Sequence, residues 1–186
     1  ADDKYGIEQL ADRHRFIDVE RVGIYGHSGG GFMSTAAILS YPDFYDVAVS
    51  SAGNHDNNIY NQWWGETHNG VTQVEKKVTV KGDTAKKEQV KISFKGEVEK
   101  NQDLAKNLKG HLLLVHGDID NNVHPGNTLR VADQLIKANK RFDFMMLPGQ
   151  RHGFGDATAY FDRMMWYYFA EHLLGDYRDN VELTDF

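Results

Sequence analysis

The sequence predicts an α/β fold, a mainly parallel sheet flanked by helices. Segments with strand character alternate with segments of helical period along most of the 186 residues. One of the strand segments, Leu112-Leu113-Leu114-Val115, is a continuous apolar run, as expected of a strand buried on both faces. Residues 71–99 break the rhythm and read as an insertion.

Taken in order, Ile7, Leu10, Ala11 and His14 fall at i, i+3, i+4 and i+7, which predicts an amphipathic helix over 5–15 behind an Asp3 cap. Strands are expected at 21–25, 46–50, 111–116 and 142–147, and helices at 31–40, 126–139 and 157–173. Residues 71–81 and 89–95 alternate apolar and polar side chains about Gly82-Asp83. They predict an antiparallel hairpin with one wet face, serving either as an interaction surface or as decoration. Repeats and low-complexity linkers are absent.

With 40% hydrophobic residues, the chain can bury a core as one domain. A net charge of −6 and the lack of a basic stripe argue against a nucleic-acid partner. The lysines at Lys76-Lys77, Lys81 and Lys86-Lys87 are interleaved with Glu75, Asp83 and Glu88, as on a solvated face. The lack of cysteine excludes disulfides and thiol catalysis while leaving the compartment open. No apolar run approaches the roughly 18 residues of a membrane-spanning helix. The opening Ala1-Asp2-Asp3-Lys4 has no initiator methionine and reads as internal to a longer chain.

Chemistry enters at Gly26-His27-Ser28-Gly29-Gly30, a G-x-S-x-G pattern between the 21–25 strand and the 31–40 helix. A serine hydroxyl is a poor nucleophile unless a sharp strand-to-helix turn projects it beside a base, and small neighbours permit that turn. The Gly29 N–H, at a helix N-terminus, would face a developing oxyanion. The competing reading is a glycine-rich connector. Such a serine needs an acid and a histidine, which α/β-hydrolases supply in that order after later strands.

Here the loop after the 111–116 strand offers Asp118 and Asp120, and the loop after the 142–147 strand offers His152. Asp120, deeper in its loop, is the expected acid, with Asp118 bracing the turn. His27 is expected to point away, His116 to close a strand, and His55 and His68 to lie in a loop. The histidines lack metal-ligand spacing such as H-E-x-x-H, so no metal site is expected, and the serine chemistry implies no organic cofactor.

Gly26-His27-Ser28-Gly29-Gly30-Gly31-Phe32, His116-Gly117-Asp118-Ile119-Asp120-Asn121-Asn122-Val123-His124 and Arg151-His152-Gly153 together resemble the C-terminal catalytic domain of the prolyl oligopeptidase family of serine peptidases. The H-G-x-x-D-x-N-V-H pattern is most similar to the dipeptidyl peptidase IV branch.

The resemblance covers the chain apart from residues 71–99. It implies the second half of an α/β-hydrolase sheet, with 1–186 the C-terminal portion of the catalytic domain. It implies Ser28 as nucleophile, Asp120 as orienting acid and His152 as base. It also implies Asn122 on a substrate carbonyl and Val123 lining a pocket, with Tyr60, Trp63 and Trp64 as further pocket candidates or, equally, core residues.

The implied reaction is serine exopeptidase cleavage of peptides, proline-directed, through an acyl-enzyme. An esterase, an acylaminoacyl peptidase and a non-catalytic interaction module remain open. The remaining implied partners are the rest of the parent chain, with its earlier strands, second oxyanion donor and β-propeller, and a second copy in a homodimer. Periplasmic or secreted location is implied as well. With half a sheet, the strand at 21–25 should present an unpaired edge.

Overall fold

A computed structural model describes residues 2–81, 86–96 and 98–177. Its contacts divide into two units, Ala1–His55 with Lys100–Phe186, and Asp56–Glu99.

The first unit is built on four parallel strands, β1 (Gly23–His27), β2 (Val47–Ser51), β5 (His111–Gly117) and β6 (Asp143–Leu147), in the order β1-β2-β5-β6. Strand β1 begins and ends two residues later than its apolar pattern suggests. Gly26 and His27 still pair, with Ser50 and Ser51, so the strand runs up to the turn itself. Val22 lies just outside the ladder, where its N–H donates to the Asp46 carboxylate at 2.9 Å.

Every connection steps the same way across this sheet, so right-handed crossovers place the intervening helices on one face. Accordingly, Ile38 and Leu39 of α2 (Gly29–Ser40) and Val131 and Leu135 of α4 (Gly126–Lys137) pack on Ala48, Leu112 and Leu114. Alternate residues Val47, Val49, Leu113 and Val115 meet Phe161 and Tyr168 of α5 (Thr158–Phe169) on the other face. Double coverage is thus why Leu112–Val115 shows no polar alternation.

Two helices differ from expectation. Helix α1 (Asp2–Arg13) starts earlier than expected, so Asp3 lies in its first turn beside Asp2 instead of capping it. There the two carboxylates favour the positive end of the helix dipole. The expected final helix is split into a 3₁₀ turn at Gly155–Ala157, α5, and a π-helical turn at Ala170–Leu174 closed by Gly175 at φ 67°.

A 3₁₀ helix at Asn101–Asn107 had no apolar period to announce it. It is tied to α2 by two amides, Asn101 Nδ2 donating to Phe32 O at 2.9 Å and Asn107 Nδ2 to Leu39 O at 3.1 Å. Among the described residues β1 pairs with β2 alone, leaving its other edge open.

The second unit holds α3 (Gln62–Asn69) and the antiparallel pair β3 (Thr72–Lys81) and β4 (Lys86–Lys95). The turn expected at Gly82-Asp83 lies outside the described residues. Register overturns the single wet face. Val74 pairs with Ser93 and Val78 with Gln89, whereas Ile92 pairs with Glu75 and Phe94 with Gln73. Directly paired residues share a face, so the apolar side chains of the two strands point to opposite sides. Lys76 faces Lys91, a like-charge pair that weakens the ladder. Helix α3 was missed because its side chains form an aromatic cluster instead of a stripe. The Trp64 and His68 rings lie 4.0 Å apart, and those of Trp63 and Trp64 6.1 Å.

His68 lies in α3 and not in a loop, whereas His55 does lie in a loop but is fully buried there. Its Nδ1 lies 3.0 Å from the Asn101 amide nitrogen, a donor, so Nδ1 carries a lone pair. Burial first, and His116 second, hold its pKa down at about 3. In the unfolded chain the same group titrates near 6.5, so this contribution to stability is complete above about pH 6.5 and is lost as pH falls. Between pH 7.5 and 5, His55 alone should remove about 2 kcal/mol of stability. Urea unfolding of His55→Gln is expected to show an acid-side loss smaller by that amount than the wild type.

Candidate active site

Strand β1 ends at His27 and α2 begins at Gly29, so Ser28 alone turns the chain. It does so at φ 59° and ψ −119°, a region costing a non-glycine residue of order 1–3 kcal/mol. The surroundings enforce it. Ser28 N–H donates to Ser51 O at 2.8 Å, and Ser28 O accepts from Phe32 N–H at 3.0 Å. A Cβ on Gly26 would meet Gly30 O at 2.2 Å, and one on Gly31 would meet Ser51 O at 2.5 Å, so no side chain fits at either position. Gly29 opens α2, and its N–H lies in the first turn, where helix amides have no intrahelical acceptor.

The hydroxyl so presented is 2.9 Å from His152 Nε2, and His152 Nδ1 is 2.7 Å from Asp120 Oδ2. A carboxylate only accepts, so the proton sits on Nδ1 and the bare Nε2 accepts from Ser28 O–H. Asp120 Oδ1 accepts from the N–H groups of Asn122 and Val123 at 2.9 and 3.0 Å. Burial by itself would raise the Asp120 pKa. The His152 bond and the two loop amides outweigh it and hold the carboxyl below its ordinary range.

The two loops that carry Asp120 and His152 are fastened together. Asp118 Oδ1 accepts from Gly149 N–H at 2.6 Å, and Ile119 N–H donates to Gln150 O at 3.2 Å. A Cβ on Gly117 would meet Gln150 O at 2.3 Å. Asp118 therefore braces the loops while Asp120 faces the histidine.

The structure brings Ser28, Gly29, Asp120 and His152 into one place, with Asn122 exposed on the rim of the Asp120 loop. Val123 is 0% exposed, and it is its backbone that meets Asp120. Tyr60 and Trp63 belong to the second unit, where Trp63 is 59% exposed, a surface position rather than core.

His27 departs from expectation. Instead of pointing away, its ring lies 4.9 Å from that of His152 and 5.2 Å from Phe154, with Nδ1 2.9 Å from Ser51 Oγ. Desolvation, then the proximity of His152, pushes its pKa down. Phe154, buried at φ 59°, seats this contact and was not legible in the sequence.

Among the described residues no group of three or more His, Cys, Asp or Glu side chains could hold a metal ion, and no helix is long and apolar enough to cross a membrane.

Residues 2–176 match the family model described as "Prolyl oligopeptidase family". Human dipeptidyl peptidase 8 is 29% identical over 170 residues, which is 90% of this chain and 17% of that protein. Mouse prolyl endopeptidase FAP is 29% identical over 145 residues, 77% of this chain and 17% of that one. A crystal structure of a Bacteroides ovatus ATCC 8483 protein named for dipeptidyl aminopeptidase IV superposes with a TM-score of 0.73 at 27% identity, over 91% of this chain and 22% of that one. The chain thus spans about a sixth of the length of the curated relatives it matches.

Gly117→Ala tests how the loops are held. The new methyl must displace the Gln150 carbonyl two residues before His152. We expect the downfield proton resonance of His152 Nδ1–H, present in the wild type, to broaden or vanish, with stability lower by about 1–3 kcal/mol.

Proposed function

The chain belongs to the prolyl oligopeptidase family, and from that premise we propose that it carries the reacting groups of a serine exopeptidase that removes a short, proline-containing segment from a peptide N-terminus. One observation supports this above the rest. The hydrogen-bond chain from Ser28 Oγ through both nitrogens of His152 to Asp120 Oδ2 is closed at 2.9 and 2.7 Å. That is hydrogen-bonding distance for a nucleophile, its base and the group that orients the base.

Ser28 Oγ attacks the scissile carbonyl carbon as its proton passes to His152 Nε2. Asp120 keeps the imidazole turned and stabilises the imidazolium. The substrate oxygen, now negative, accepts from the Gly29 N–H. The C–N bond breaks as His152 returns the proton to the leaving amine, and water then releases the acyl group by the same proton shuttle. Asn122, exposed beside the acid, donates its side-chain amide to a substrate carbonyl upstream of the cleaved bond.

The test begins with a fluorophosphonate on the full chain. The wild type is expected to label at Ser28, while Ser28→Ala and His152→Ala do not. Asp120→Asn should slow reaction by roughly 10⁴-fold, because the imidazole then holds the wrong tautomer. Asp118→Asn should remain within a few-fold. Comparing a proline dipeptide anilide with a simple acyl ester measures the preference, and a faster ester with no anilide turnover would sink the exopeptidase assignment. Wild-type protein inert to the probe would sink the hydrolase assignment altogether.

A further inference from the structure

His116 is a buried polar residue that the reaction above does not use. It sits in β5 with 0% exposure, directly after the apolar run Leu112–Val115. Each ring nitrogen is engaged. Nδ1 lies 2.7 Å from Thr128 Oγ1 in α4, and Nε2 lies 2.9 Å from Val123 O and 3.3 Å from Asp120 Oδ2.

These partners dictate the proton's position. A carbonyl and a carboxylate oxygen can only accept, so Nε2 must carry the hydrogen and share it between them. Nδ1 then has a lone pair, and the Thr128 hydroxyl must donate to it. The opposite tautomer would set three lone-pair-bearing atoms against one another in a buried site. We infer that His116 is a positioning residue for Asp120, with its proton held on Nε2 by the Val123 carbonyl and the Asp120 carboxylate and its ring anchored through Nδ1 by the hydroxyl of Thr128. This rests on the hydrolase reading given above.

The geometry makes His116 the fixed side of a clamp. Val123 N–H holds Asp120 Oδ1 while Val123 O and Asp120 Oδ2 are both held by His116 Nε2–H. A loop carboxylate is thereby referenced to a buried strand. Oδ2 is divided between two imidazoles, and the nearer one, His152 at 2.7 Å, is the one in contact with Ser28.

Neutrality of His116 matters, since a second cation there would compete with the imidazolium of His152 for one carboxylate. The titratable groups that bear on it are Asp120 from its own loop, His152 from the loop after β6, His27 from β1 and His55 from the segment after β2. Burial lowers the pKa of His116, the Val123 carbonyl and Asp120 raise it, and the net is below the ordinary histidine value.

The experiment uses the full chain with ¹⁵N-labelled histidine and two variants, Thr128→Val, which removes the hydroxyl at constant shape, and Thr128→Ser, which keeps it. Long-range ¹H–¹⁵N spectra are expected to show His116 protonated on Nε2 in all three proteins, with the Nδ1 resonance of Thr128→Val moved to that of a pyridine-type nitrogen without a hydrogen-bond donor, and that of Thr128→Ser as in the wild type. In the same samples, kcat on a proline dipeptide anilide should fall about tenfold in Thr128→Val, with KM within about twofold, and return in Thr128→Ser. Wild-type His116 protonated on Nδ1 overturns the inference, as does a Thr128→Val protein whose Nδ1 has lost its hydrogen bond and whose kcat is unaltered. A wild type that fails to label with fluorophosphonate overturns the hydrolase reading, and with it the catalytic half of this one. The ¹⁵N shifts decide the tautomer half in either case.

Discussion

The buried carboxylate of Asp120 is the constraint around which the rest is arranged. Its side chain is fully removed from solvent, and a carboxylate taken out of water must be surrounded by donors or it will not stay ionised. Two loop amides and two histidines supply them. The donors come from three parts of the fold, the Asp120 loop itself, β5 and the loop after β6, so the carboxylate has one orientation only. That orientation sets the tautomer of His152, and the tautomer decides whether a lone pair faces Ser28.

Bringing these groups together is the work of the parallel sheet. Ser28, Asp120 and His152 follow β1, β5 and β6, and parallel strands deliver every such loop to the same end of the sheet. The intervening strand β2 contributes too, because Ser51 O receives the Ser28 amide and Ser51 Oγ meets His27. Conformational strain is concentrated at Ser28 and Phe154, the two non-glycine residues with positive φ that flank the histidine pair His27 and His152. Packing at Gly26, Gly31 and Gly117 removes the space into which those backbones could relax.

The second unit follows a different logic. Its two long strands pair over ten residues, yet neither face collects the apolar side chains, and lysines oppose each other across the ladder. The alternation in each strand was legible, but the register between them was not. Register decides which alternate set of one strand joins which set of the other, and a shift of one residue reverses the answer.

Local sequence carried the alternation of strands and helices, the sharp turn at Ser28 and the two loops bearing Asp120 and His152, because those depend on period and on residue type within a few positions. A choice between Asp118 and Asp120 was already possible from their depth in the loop, although the reason, that Asp118 is spent on the Gly149 amide, lies 31 residues away. The ring contact of His27 with His152, the grip of His116 on the acid and the amides of Asn101 and Asn107 on α2 belong to the tertiary structure alone. The first and last join segments far apart in the chain, the second reaches only four residues but depends on how the loop folds back on its strand, and contacts of either kind leave no periodic trace in the partners.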